Sequence, residues 1–128
     1  LYGFSRNLRS EINKINKYYF FDNGIRNAVI SNFNSLEDRN DVGQLWENFM
    51  MIERLKRNEY KGVWVNSYFW RTYDQKEVDL VEEANGKLEG YEFKWSAKKI
   101  KAPKKWLETY AEASWKEINR ENYWGFVS

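Results

Sequence analysis

The sequence predicts a small α/β domain in which one long helix precedes a mainly antiparallel, mixed sheet that ends with a further helix and strand. Three observations carry that expectation. Apolar residues recur at spacings of three and four from about Asp41 to Arg57, the period of a one-sided helix. Three runs rich in β-branched and aromatic residues follow it, at 62–70, 77–82 and 87–95. The last two are joined by Ala84-Asn85-Gly86, and Asn-Gly between alternating runs is a strong short-range hairpin signal.

The elements follow in order. A polar, helix-like stretch ends at Lys17, and 1–17 reads as a helical extension from a preceding domain, with 18–128 as the domain proper. Leu1 stands where a start methionine is expected, so the chain reads as part of a longer protein. Tyr18 to Phe21 is a short aromatic strand ended by Asp22-Asn23-Gly24, with Asp22 or Asn23 capping a helix whose apolar face is Ile25, Val29 and Ile30. A polar loop spans 31–40.

In the long helix the expected apolar arc is Val42, Leu45, Trp46, Phe49, Ile52 and the stem of Lys56, with Asp41 as N-cap and Arg54, Lys56 and Arg57 near the C-terminus, where the helix dipole favours cations. At about 100° per residue Glu53 projects inside that arc and Glu47 at its edge, beside Met50 and Met51. A carboxylate buried there needs a cation, donors or a metal. After the strands come a basic loop with the only proline, Pro103, a helix over 104–113 and a strand within 114–120. Tyr18, Tyr19, Phe20, Phe21, Trp64, Phe69 and Trp70 are expected in the core. Trp106, Trp115, Tyr123 and Trp124 are the aromatics available to stack on bases or dock a partner.

The chain has 128 residues, which suits one domain of roughly 100–200 residues. It has no cysteine and no histidine. Disulfides, thiolate zinc sites, cysteine nucleophiles, Ser-His-Asp triads and imidazole bases are thereby excluded. What chemistry remains must run on carboxylates, lysines, hydroxyls or a bound hard cation. The absence of cysteine agrees with a cytoplasmic setting, and no apolar run approaches the ~18 residues of a membrane span.

Net charge is only +2, but its distribution is uneven. Six acids against Lys87 alone occupy 77–92, and six lysines without an acid occupy 94–105 once Glu92 is passed. On the third strand, period two sets Glu92 and Lys94 on one face and Tyr91, Phe93 and Trp95 on the other. Cross-strand pairing can bring Asp79 beside Glu92. Two such carboxylates resist double ionisation unless a cation is shared, and Mg²⁺ or Mn²⁺ would let both stay charged. Lys94 then lies near developing phosphate charge, and Glu47 from the helix can complete the shell directly or through water. Arg71, Glu77 and Glu53 are candidate supporting groups. Lys98, Lys99, Lys101 and Lys104 are placed to track a phosphate backbone.

The order helical Glu47, Asp79, then Glu92-Phe93-Lys94 resembles the PD-(D/E)xK nuclease superfamily, with Val78 standing where that motif has proline. The runs Lys17-Tyr-Tyr-Phe-Phe-Asp-Asn-Gly-Ile-Arg-Asn-Ala, Gly43-Gln-Leu-Trp-Glu-Asn-Phe-Met-Met-Ile-Glu-Arg-Leu, Phe69-Trp-Arg-Thr-Tyr, Glu77-Val-Asp and Tyr91-Glu-Phe-Lys-Trp-Ser resemble the C-terminal domain of prokaryotic AAA+-type ATPases, the domain of unknown function 4143 family. That resemblance implies a restriction-endonuclease-like core, with an ATPase core and a winged-helix segment preceding it. The chain holds no GxxxxGK[ST] loop, so ATP would bind outside it. The expected partners are nucleic acid, DNA rather than RNA, and the protein's own ATPase and winged-helix domains, with no membrane. Three functions are compatible with these residues: a divalent-metal nuclease, an inactive nuclease-like module that binds nucleic acid or docks the ATPase, and a structural domain that forms a homo-oligomer.

Overall fold

The computed structural model describes residues 1–4, 16–29, 34–35 and 39–128. Strand β1 (Tyr2–Gly3) is followed by helix α1 (Asn23–Val29), helix α2 (Val42–Tyr60), strands β2 (Asn66–Arg71), β3 (Glu77–Ala84) and β4 (Lys87–Phe93), helix α3 (Lys104–Thr109), strand β5 (Ser114–Ile118) and helix α4 (Tyr123–Val127). The five strands form one sheet in the order β1-β2-β3-β4-β5. β2, β3 and β4 are an antiparallel meander, whereas β1 and β5 lie parallel to their neighbours β2 and β4. The β3–β4 turn is made by Asn85 (φ 52°) and Gly86 (φ 77°), the double left-handed conformation that an Asn-Gly hairpin supplies.

Each face of the sheet carries its own core. On one, Trp46, Met50 and Met51 of α2 meet Leu80, Phe93 and Ile118, with Phe126 of α4 closing the cluster. On the other, Trp106 and Tyr110 from the α3 side pack on Trp70, Val78, Val81 and Leu88, together with Phe4. Gly90 makes the second layer fit. A Cβ there would sit 3.1 Å from Val78 Cγ1 and 3.2 Å from Trp106 Nε1, tight enough to make the neighbours give way, so glycine favours the close approach of the indole, which donates to Ser114 O at 3.3 Å.

The helix–sheet–helix order matches the sequence reading, and several local expectations do not. Tyr18 to Phe21 is not a strand. It is a strap across α2, held by Phe20 N–H donating to Asn48 Oδ1 (2.7 Å) and Asn48 Nδ2 donating to Phe20 O (2.8 Å). Asp22 does cap α1, its carboxylate accepting the Gly24 N–H at 2.6 Å. The side chains of Ile25, Val29 and Ile30, and most of 31–40, lie outside the described residues. The first four residues belong to the domain rather than to an appendage: Tyr2 and Gly3 pair with Tyr68 and Phe69, and Phe4 is core. Residues 5–15 of the expected helical extension lie outside the described ones.

The buried stripe of α2 is also rotated from the expected arc. Its inward residues are Leu45, Trp46, Asn48, Met50, Met51, Ile52, Arg54 and Asn58, while Phe49 is 40% exposed. Asn48, Arg54 and Asn58 are polar, so a hydrophobic pattern cannot find them. Asp41 makes no side-chain cap to α2. Its carboxylate is taken by Arg26 (2.8 Å) and Arg39 (2.8 and 2.9 Å), tying α1 to the start of α2. Among the aromatics, Trp64 (91% exposed), Tyr18 and Phe21 are on the surface, and Trp106, offered above as a stacking residue, is fully buried. Trp64 precedes β2 and so escapes the sheet.

Candidate active site: a carboxylate pocket with an internal ammonium

The irregular part of the sheet positions the site. Tyr68 pairs with Val81 and Trp70 with Val78, so two steps on β2 match three on β3. Val78 and Val81 both pack under Trp106, leaving Asp79 and Leu80 between them instead of one residue. β3 therefore carries a bulge, the device that re-aims a side chain beside a functional site. Leu80 enters the α2 core, and Asp79 is released from strict alternation. The β3–β4 register stops at Leu80 and Tyr91. Beyond it the Asp79 carboxylate takes over, its Oδ2 accepting the Phe93 N–H at 2.8 Å.

Asp79 opens into a pocket of about 560 Å³ whose lining includes Glu47, Glu77, Asp79, Glu92, Lys94 and Lys98, with Asn40, Asp41, Gly43 and Gln44 at the mouth beside α2. A larger groove of about 860 Å³ lies between β4 and the α3 side, lined by Lys87, Glu89, Lys105, Glu108 and Glu112 with none of the acids singled out by the sequence. Chemistry converges in the smaller one. Thus Glu47, Asp79, Glu92 and Lys94 share one pocket, as the sequence suggested, and Glu77 joins them. Lys94 Nζ stands 3.9 Å from Glu92 Oε1.

Other expected site residues fall elsewhere. Glu53 turns outward and pairs with Lys56 at 3.3 Å, because the buried stripe of α2 is rotated toward Glu47. Arg71 pairs with Glu77 at 3.4 Å and stays behind the pocket wall. Of the lysines expected to track a phosphate backbone, Lys98 lines the pocket; Lys99, Lys101 and Lys104 are exposed outside it, Lys104 near Glu108. Glu117 of β5 organises that loop, accepting the Lys99 and Ile100 N–H groups and Asn119 Nδ2.

Two site residues were missed. Lys17 Nζ lies 3.1 Å from Glu47 Oε2 and 3.3 Å from Glu77 Oε1, and the Tyr19 hydroxyl donates to Glu47 Oε2 at 2.7 Å. Lys17 closes the stretch read as a helical extension, and Tyr19 lies in the run read as an aromatic strand. Lys17 ended a polar run and Tyr19 sat among aromatics, so neither carried a signal of its own. Burial opposes the charge on Lys17, yet the carboxylates of Glu47, Asp79 and Glu77 hold its pKa above the ordinary value. Burial and then the neighbouring Glu47 charge push Asp79 well above the usual aspartate range, against the Phe93 N–H and Lys17. Burial, partly offset by Lys94, raises Glu92 as well. Glu77 goes the other way: despite burial, Lys17 and Arg71 hold it below its ordinary value. Lys17 and Arg71 thus serve Glu47 and Glu77, and Lys94 serves Glu92, while Asp79 has no ion pair among those described.

The segment carrying these acids decides the family. Residues 42–122, well over half of the chain, match the model of a domain of unknown function (DUF4143). The chain belongs to that family. No curated protein and no solved structure matches it. The DUF4143 match runs from the start of α2 to the residue before α4, and so takes in Glu47, Glu77, Asp79, Glu92 and Lys94 but not the Lys17 strap.

A divalent cation is the group that the nuclease resemblance implies. Among the described residues, no three acids are arranged as a ready metal site. The donor set nevertheless fits a hard cation in kind: all-oxygen carboxylates, repulsion of Asp79 by the Glu47 charge that Lys17 and the Phe93 N–H only partly offset, and a positive group already standing between Glu47 and Glu77. Among the described residues no helix is long and apolar enough to cross a membrane.

Proposed function

We propose that this DUF4143 domain is the nuclease-like C-terminal domain of a prokaryotic, cytoplasmic AAA+-type ATPase, acting on nucleic acid, DNA in preference to RNA, by divalent-metal-dependent phosphodiester hydrolysis. The observation that carries this reading is the convergence of Glu47, Asp79, Glu92 and Lys94, from α2, β3 and β4, on one open pocket. Asp79, Glu92 and Glu47 would hold Mg²⁺ or Mn²⁺. Bound there, such an ion would lower the pKa of a water and polarise a phosphoryl oxygen. The chain's own part is to place charge. Lys94 sets an ammonium at the pocket wall where negative charge grows on the phosphate, Lys98 attracts the backbone at the rim, and the Phe93 N–H fixes Asp79. ATP binding and the winged helix belong to chain outside this one.

The test is cleavage of supercoiled plasmid by the full chain with Mg²⁺ or Mn²⁺. Nicking that falls by about 10²-fold in Lys94→Ala, the usual cost of one transition-state charge group, supports it. No cutting of DNA or RNA, or cutting indifferent to Lys94, overturns it. A second reading has its own observation, the Lys17 ammonium lodged among the acids. It is an inactive module that binds nucleic acid or docks the ATPase, and it predicts salt-dependent DNA binding that survives Asp79→Ala and Glu92→Ala.

A further inference from the structure

The strap that carries Lys17 is built to hold its ammonium against two of the acids that line the pocket. Lys17 N–H donates to Leu1 O at 2.9 Å beside β1, Tyr19 reaches Glu47, and Phe20 is clamped to Asn48 by two hydrogen bonds. The ammonium is partly buried, flanked by the rings of Tyr19 (5.7 Å) and Phe69 (5.6 Å) as well as by Glu47 and Glu77. Glu47 Oε2 is the shared atom: it accepts both Lys17 and Tyr19, and it belongs to the acid expected to complete a metal's shell.

We propose that Lys17 is a resident counter-ion of the acids that line the pocket and that a divalent cation and the Lys17 ammonium compete for Glu47. The inference rests on the metal-dependent reading of the site and adds to it a competition within the chain. Cation uptake and the hold on the Lys17 ammonium then oppose each other, because the Glu47 charge that attracts the ammonium is the charge a cation would take, and the two positive groups repel at that distance. Linkage makes the effect reciprocal: whatever Lys17 gains from the acids, the cation loses. The strap thereby sets how much Mg²⁺ or Mn²⁺ the domain needs. A segment outside the family-matched region tunes a site inside it.

Calorimetric titration of Mn²⁺ into the full chain and into Lys17→Met tests this, with Lys17→Arg as the variant that keeps the charge. Lys17→Met should bind about tenfold tighter or more, the size of an ordinary coupling between two ligands, and Lys17→Arg should resemble the wild type. Equal affinity in all three proteins overturns the competition and leaves the metal site standing. No uptake by any of them overturns both. If Lys17→Met does not fold, the wild-type chain suffices: with Mn²⁺, acetylation of Lys17 mapped by mass spectrometry should rise several-fold while that of Lys87, exposed at the β3–β4 turn and outside the pocket lining, stays constant. An unchanged Lys17 signal refutes the proposal.

Discussion

Two buried acids three residues apart on β3 have opposite surroundings. Glu82 is held by Arg54 through two bonds, Nε to Oε2 at 3.0 Å and Nη2 to Oε1 at 2.7 Å, and by Asn58 Nδ2 at 2.9 Å. The same guanidinium donates to Phe126 O at 2.8 Å and lies 4.4 Å from the Phe126 ring, fastening α4. Asp79 has one backbone N–H, a nearby lysine shared with two other acids, and the repelling charge of Glu47. Both sit under α2. One is compensated and closed, the other under-compensated and open to a pocket, and that difference separates an acid that holds the fold from an acid available for chemistry.

Removing the cation from the closed pair should have the largest effect. Arg54→Met leaves Glu82 buried without its guanidinium, and urea unfolding should show a loss of about 3–5 kcal/mol. A loss under 1 kcal/mol would mean that Glu82 is not the structural member of the comparison. The open site should answer differently. Lys94→Ala, in a half-exposed position, should leave the urea midpoint nearly unchanged while nicking falls about 10²-fold. Smaller again, Asp79→Asn in EDTA should be neutral or stabilising by up to about 1 kcal/mol, because it removes a buried like-charge contact while its amide oxygen can still accept the Phe93 N–H. A marked loss would place Asp79 with Glu82 among the structural acids.

The smallest effect concerns Asp41 at the pocket mouth. Hydrogen bonds from Arg39 and then Arg26 hold its carboxyl well below the ordinary aspartate range. Its contribution is therefore complete above the unfolded value near pH 4 and fades as pH falls through that value toward the depressed one. Melts of wild type and Asp41→Asn should differ most at pH 7 and converge below about pH 4. A difference that grew on acidification would have the wrong sign.

The same contrast explains what the sequence could disclose. The helix, the meander and the Asn85-Gly86 turn were legible because period and turn chemistry are local. Glu47, Asp79, Glu92 and Lys94 were legible as a set because the resemblance orders them and a hairpin brings two strands together. The rest was hidden by polarity and by bulging. Asn48, Arg54 and Asn58 belong to the buried stripe of α2 but read as surface, which turned the expected arc toward Glu53. The extra residue at Asp79 and Leu80 breaks the alternation on which a strand's faces are read. Trp106 is core beside Gly90, sixteen positions earlier, which leaves room for its indole. Lys17 reaches its acids across 30 and 60 residues of sequence, a separation no local pattern bridges.

On the proposed function, the open acids, not acids in general, take up a cation. Mn²⁺ titration by calorimetry of the wild type, Asp79→Asn and Glu53→Gln tests it most directly, since Glu53 lies on the same helix as Glu47 but faces away from the pocket. The expected result is saturable one-site uptake by wild type and Glu53→Gln and its loss in Asp79→Asn. Equal uptake by all three, or none by the wild type, would contradict it.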